Sequence, residues 1–181
     1  MTVSDGGSVE NTKIGEPGML ATVQLMKPWE PPMQSKLVVK SAGQRTFILV
    51  LETGEEAFST ISDFAMEQRL RAASLTALGA FSGAMVGWFD LVAKTYRQIP
   101  VTQQCEVLSL LGDIAVDDNM EPSLHVHAVL GLSDGSTRGG HLLQGSVRPT
   151  LEVTLVETPA HLRRKKRPEL GIALIDLAAS S

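Results

Sequence analysis

The sequence predicts an α+β domain, several strands with a helix packed on their sheet, and three observations lead there. Short runs of β-branched and aromatic residues recur along the chain, several joined by glycine-containing turns of the kind that link antiparallel neighbours. One segment instead carries its apolar residues at helical spacing with a polar opposite face, so a helix packs on the sheet. The 181 residues, 43% of them hydrophobic, suffice for one sizeable core with a remainder at the N-terminus.

That remainder, residues 1–33, is rich in Gly, Ser, Thr and Pro and has no sustained periodicity. A mobile tail is expected there, ahead of a single domain over residues 34–178. Within the tail, the apolar piece 19–26 is a candidate for docking on another subunit. Order begins with the strand-forming runs 35–40 and 46–51 around the turn Ser41-Ala42-Gly43-Gln44, which make a hairpin or two neighbouring strands. Thr53-Gly54-Glu55-Glu56 reads as a capping box: a Thr oxygen accepts from the amide three residues on, and Glu56 reaches back to the cap amide. In the helix that follows, Ala57, Phe58, Ile61, Phe64 and Ala65 form the apolar face.

Residues 72–80 fit either a continued helix or a buried strand. Gly79, Gly83 and Gly87 favour a strand from about Ala73, a bend, then a strand over 84–89. Residues 94–100 are a further short strand. Residues 104–116 form a long one, with a bulge or bend expected at Gly112. A polar loop leads into a hairpin over 124–143, followed by a strand at 150–157, a solvated basic loop at 158–171 and a last strand at 172–177.

The hairpin over 124–143 carries three of the four histidines. His125 and His127 are two apart, and strand side chains repeat every two residues, so both imidazoles leave the same face. His141 depends on the loop. A two-residue turn at Asp134-Gly135 places it opposite Ala128, on the wrong face. A three-residue loop with Gly135 left-handed, or a bulge at Gly139-Gly140, places it opposite Val129 and diagonal to His127. All three then converge, and three neutral imidazoles with an open fourth position suit Zn²⁺ best among first-row metals. The competing reading is a set of hydrogen-bonded histidines on a half-buried sheet. Glu106, an acid among apolar neighbours, is either a solvent-facing carboxylate, a metal ligand, a general base, or a partner that holds a histidine tautomer. His161 is read as an exposed loop residue.

A formal net charge of −4 weighs against a whole-surface nucleic-acid binder. The dense run Arg163, Arg164, Lys165, Lys166 and Arg167 is a local candidate for phosphate contacts, though it lacks interleaved aromatics and more often marks a solvated loop. Cys105 is the single cysteine, so no intrachain disulfide framework exists. With no basic-then-apolar leader and no run long enough to span a bilayer, a cytoplasmic protein without membrane partners is expected. No phosphate-binding loop or His-Glu-x-x-His occurs.

Glu106-Val107-Leu108-Ser109-Leu110-Leu111-Gly112, then His125-x-His127, Ser133-Asp134-Gly135 and Gly139-Gly140-His141-Leu142, together resemble the PPC ("plants and prokaryotes conserved") domain over nearly everything after the tail. The resemblance implies an α/β subunit with helices packed on one side of a mainly antiparallel mixed sheet, assembling as a homotrimer. In plants this domain follows AT-hook motifs in nuclear proteins. The present chain has no Arg-Gly-Arg-Pro core, and Lys166-Arg167-Pro168 lacks the glycine that lets a backbone lie deep in the minor groove. Plant members carry Arg-Phe where this chain has Gln104-Cys105, and generally lack the histidine trio. The chain therefore resembles the prokaryotic stand-alone branch, in which the trio looks like a metal site.

Three functions follow as expectations. The first is a homotrimer that binds a divalent metal, most of all Zn, through His125, His127 and His141, with a small molecule as candidate substrate. The second is a DNA-associated or regulatory protein acting through its trimer and basic loop. The third is a protein-interaction scaffold. The sequence does not disclose a reaction.

Overall fold

A computed structural model describes residues 32–180; of the tail expected over 1–33, all but the last two residues, with the apolar piece at 19–26, lies outside the described residues, and Met33 donates its amide to Glu55 at 3.0 Å. β1 (Gln34–Ser41) and β2 (Gln44–Glu52) form the expected hairpin around Ala42 and Gly43. α1 (Ala57–Glu67) follows, but its cap differs from the expected box. Glu56 itself is the N-cap, and its carboxylate accepts from the amides of Phe58 at 3.0 Å, Ser59 at 2.7 Å and Gly145 at 3.0 Å. The Thr53 hydroxyl donates instead to the Pro149 carbonyl at 2.9 Å. Ala57, Ile61, Phe64 and Ala65 are buried, as the helical spacing requires.

Two long strands frame the rest: β3 (Ala72–Asp90), 19 residues, and β7 (Thr137–Glu157), 21 residues. Between them come β4 (Thr95–Val101), β5 (Cys105–Val116) and β6 (Pro122–Gly131). Every pairing between the strands of this sheet is antiparallel, running from β1 to β2, to the second half of β7, to the first half of β3, to β5, to β6, to the first half of β7, to the second half of β3, and to β4. Both long strands occur twice in that series, so the sheet curls back on itself around one core. Phe47 of β2 meets Phe64 of α1 edge to face at 5.2 Å, and Leu75, Leu110, Val126, Leu151 and Leu155 line the same interior. Each such side chain contributes about 1.5–3 kcal/mol by leaving water.

The fold class is therefore not the expected α+β arrangement with helices packed on one side. Among the described residues there is one α-helix, and the architecture is predominantly antiparallel β. The reason lies in strand length. Glycines and prolines that read as punctuation in 79–87 and 139–149 are absorbed as register shifts within β3 and β7, which stay continuous. The bulge expected in β5 at Gly112 falls at Leu108. The basic segment expected to be loop forms β8 (Arg164–Arg167), paired with β9 (Ile172–Ile175), and a 3₁₀ turn at Leu177–Ala179 ends the fold. No helix among the described residues is long and apolar enough to cross a membrane.

Candidate metal centre

Alternation along β6 decides the faces. Leu124, Val126, Ala128 and Leu130 are buried, which turns His125, His127 and Val129 outward. Ser133, Asp134 and Gly135 then make the three-residue loop into β7: Gly135, at φ 80°, donates its amide to the Leu132 carbonyl at 2.9 Å, and Leu132 donates to Ser136 at 2.9 Å. Asp134 holds the turn by accepting from the Ser136 amide at 2.9 Å and its hydroxyl at 2.6 Å. With Leu132 opposite Ser136, His141 falls directly opposite His127, not opposite Val129 or Ala128. Directly opposed residues share a face. His125, His127 and His141 thus converge.

Their ligating atoms lie within 4.8 Å of one another. Ring centroids are 5.1 Å apart for His125–His127 and His125–His141, and 5.5 Å for His127–His141. Burial first, then the neighbouring His125, His127 and Arg164, push His141 down to about 4. Burial and His125 also lower His127. Both are neutral at neutral pH, the form that ligates metal. Nδ1 of His141 is buried with no hydrogen-bond partner, a state worth about 1–3 kcal/mol of unanswered desolvation.

Register also supplies a carboxylate. Asp113 of β5 stands opposite His125, and its Oδ2 is 3.4 Å from His125 Nδ1. Behind it, the buried Arg164 pairs with Asp113 and donates to the Ser123 carbonyl at 2.9 Å. Burial alone would raise Asp113, but the hydrogen bond from His125 and the Arg164 charge outweigh it and hold the carboxyl below its usual range. This Arg–Asp–His relay fixes one imidazole nitrogen and leaves the other for an ion. On the far side, Tyr96 stacks on His141 with centroids 4.9 Å apart. Gly87, opposite His141 across the β3–β7 pairing, makes room: an added Cβ would lie 2.8 Å from Tyr96 Cδ1.

Other expected residues lie elsewhere. Glu106 is exposed opposite Gly131 on β6, about 20 Å along the strand from His125 at the rise per residue of a strand, and faces a separate cavity with Gln103 and Ser133. His161 is exposed and outside the cluster. Of the basic run, Arg164 is committed to Asp113, while Lys165 and Arg167 each stand 3.7 Å from the Asp176 carboxylate. Lys166 is exposed, and Arg163 is half-buried with its Nε enclosed and unpaired. Asp113, Tyr96 and Arg164 were not singled out from the sequence as neighbours of the histidines. A signal for Asp113 existed: a hairpin closing at Val116 and Pro122 places residue 113 opposite 125.

A curled antiparallel sheet with an outward histidine cluster backed by an aspartate paired to a buried arginine defines a β-domain with a candidate three-imidazole metal centre. The chain belongs to the Plants and Prokaryotes Conserved (PCC) domain family, whose model matches residues 39–159. Among solved structures it is similar to a plant- and prokaryote-conserved (PPC) protein from Pyrococcus horikoshii, with 31% identity over 73% of this chain and 91% of that one, TM-score 0.68. A metal-containing protein from Archaeoglobus fulgidus is 29% identical over 78% of this chain and 96% of its own, TM-score 0.68. A candidate DNA-binding protein from Ralstonia eutropha JMP134 is 25% identical over 72% and 90%, TM-score 0.67. No curated protein matches.

Proposed function

We propose that this protein is a homotrimer that binds a divalent, zinc-like metal through His125, His127 and His141 and presents it to a small molecule. The observation that carries the reading is the convergence of three imidazoles within 4.8 Å, one of them oriented by Asp113. The residues fit such an ion: the donors are all nitrogen, two are held neutral, and a buried ring nitrogen lacks a protein partner. A zinc ion held there would supply Lewis acidity at an open coordination position. The chain's own part is to orient His125 through Asp113 and Arg164 and to wall His141 with Tyr96. The related Archaeoglobus protein, described as metal-containing, agrees with the reading.

Trimer formation is supported by an apolar outer face. Leu78, Leu108 and Leu111 are 63%, 53% and 57% exposed and line one shallow depression, with Leu111 directly opposite His127. Elemental analysis of tag-free protein tests the metal. Near one equivalent per subunit in wild type and almost none in His127→Ala is expected; equal content in both, or none in either, rejects the site.

A DNA-associated role is the second reading, favoured by the description of the Ralstonia relative. It expects duplex DNA to be retained at low salt and released by neutralising Lys166, with His127→Ala without effect.

A further inference from the structure

The histidine cluster opens into a cavity of about 610 Å³, within the range of small-molecule sites. Its two ends differ in chemistry. The three imidazoles form one pole. Phe89 and Tyr96, which leave the same face of the β3–β4 hairpin as Gly87, form apolar walls with Ile172 and Leu174 from β9. Phe89 and Tyr96 are half-buried and Leu174 is 41% exposed, so aromatic and aliphatic surface is held open to solvent beside the polar pole. The C-terminal hairpin is anchored for this: Arg164 ties β8 to Asp113, and Lys165 and Arg167 of β8 share Asp176 just beyond β9.

Charge selects the ligand's head. The cavity lining contains no Asp or Glu, and its one formal charge, Arg164, is spent on Asp113. Imidazole is an uncharged ligand when it binds a metal, so three of them leave the charge of a divalent ion uncompensated, and an anionic oxygen is the group that completes the pole. The walls select the body. A flat apolar group buries area against Phe89, Tyr96 and Leu174 that a short ligand leaves wet.

Resting on the metal-site reading above, we propose that the pocket takes a small anionic oxygen ligand, a carboxylate or its equivalent, that carries a flat apolar body. The head sits at the histidines. The body lies between the Phe89–Tyr96 side and the β9 side.

Benzohydroxamate and acetohydroxamate test this, since they share a metal-binding head and differ in the body. The protein is loaded with zinc, and binding is read by titration calorimetry. Benzohydroxamate should bind at least tenfold more tightly than acetohydroxamate. Leu174→Ala should cut that preference at least threefold while zinc stays near one equivalent. Equal affinity for the two ligands, or a preference that Leu174→Ala leaves intact, overturns the proposal and spares the metal site. Wild type that holds no zinc overturns both.

Discussion

Asp113 does two jobs through one carboxylate: Oδ2 faces His125, and Oδ1 faces Arg164. Asp113→Asn keeps the shape and removes the charge. Zinc affinity should fall about 10–100-fold, as it does when an imidazole loses the partner that orients it, measured by competition with a chromophoric chelator. Acid stability should change as well. The folded carboxyl lies below its ordinary value of 3.8, so its stabilising contribution is complete above that value and is lost as pH falls through the depressed one. Urea denaturation from pH 5 downward should therefore show a flatter loss of stability in Asp113→Asn than in wild type; parallel curves would refute the coupling. Gly87 gives a second residue-scale outcome. Gly87→Ala drives a methyl into Tyr96 and Leu143, at 2.8 and 3.2 Å, and should cost about 1–3 kcal/mol of unfolding free energy by overpacking. The histidines themselves were legible in the sequence, because the two-residue repeat of a strand needs no tertiary information. Asp113, Tyr96 and Arg164 reach them from other strands, and which strand lies beside which is not written in local periodicity.

At the scale of elements, two short devices fix where the site stands. The loop Ser133-Asp134-Gly135 sets the face on which His141 emerges, and Gly135 lies at φ 80° with open space around its Cα. Gly135→Ala should cost about 1 kcal/mol through backbone strain alone and leave zinc content unchanged. A larger loss would mean that the loop contributes packing. Glu56 ties α1 to β7 by accepting from Phe58, Ser59 and Gly145. Glu56→Ala should cost about 1–2 kcal/mol by chemical denaturation. The helix and its buried face followed from spacing; its cap did not, because Thr53 is drawn to the Pro149 carbonyl, 96 residues away in sequence. Likewise a turn at Asp134-Gly135 was legible, but its length was open between two and three residues, and the partner of His141 required the loop's inner hydrogen bonds. The five cations of 163–167 read as solvent-facing because composition cannot show that Asp113 and Asp176 wait for three of them.

Most of the described residues form one seven-stranded sheet wound on itself, and its outer surface bears Leu78, Leu108, Leu111 and Val129, with Leu111 directly opposite His127. If that surface joins subunits, Leu111→Asp should convert a trimer to monomer by sedimentation velocity, with the monomer still folded by circular dichroism. A wild-type monomer would reject the assembly. The winding was the least legible feature, since β3 and β7 are each assembled from pieces that glycine and proline mark as separate.

The doubled passage of β7 through the sheet has a consequence for how the chain acquires its structure. β7 joins β2 at one end and β6 at the other, and lines β3 along most of its length, so residues about a hundred positions apart must meet before the sheet can close. A ribosome releases residues 137–157 after every partner they need, which leaves the earlier strands with open edges while synthesis continues. Refolding should accordingly fall in the slow, millisecond-to-second range of proteins dominated by distant pairings. Chains halted before residue 137 should collect as aggregates, not as a smaller version of the fold.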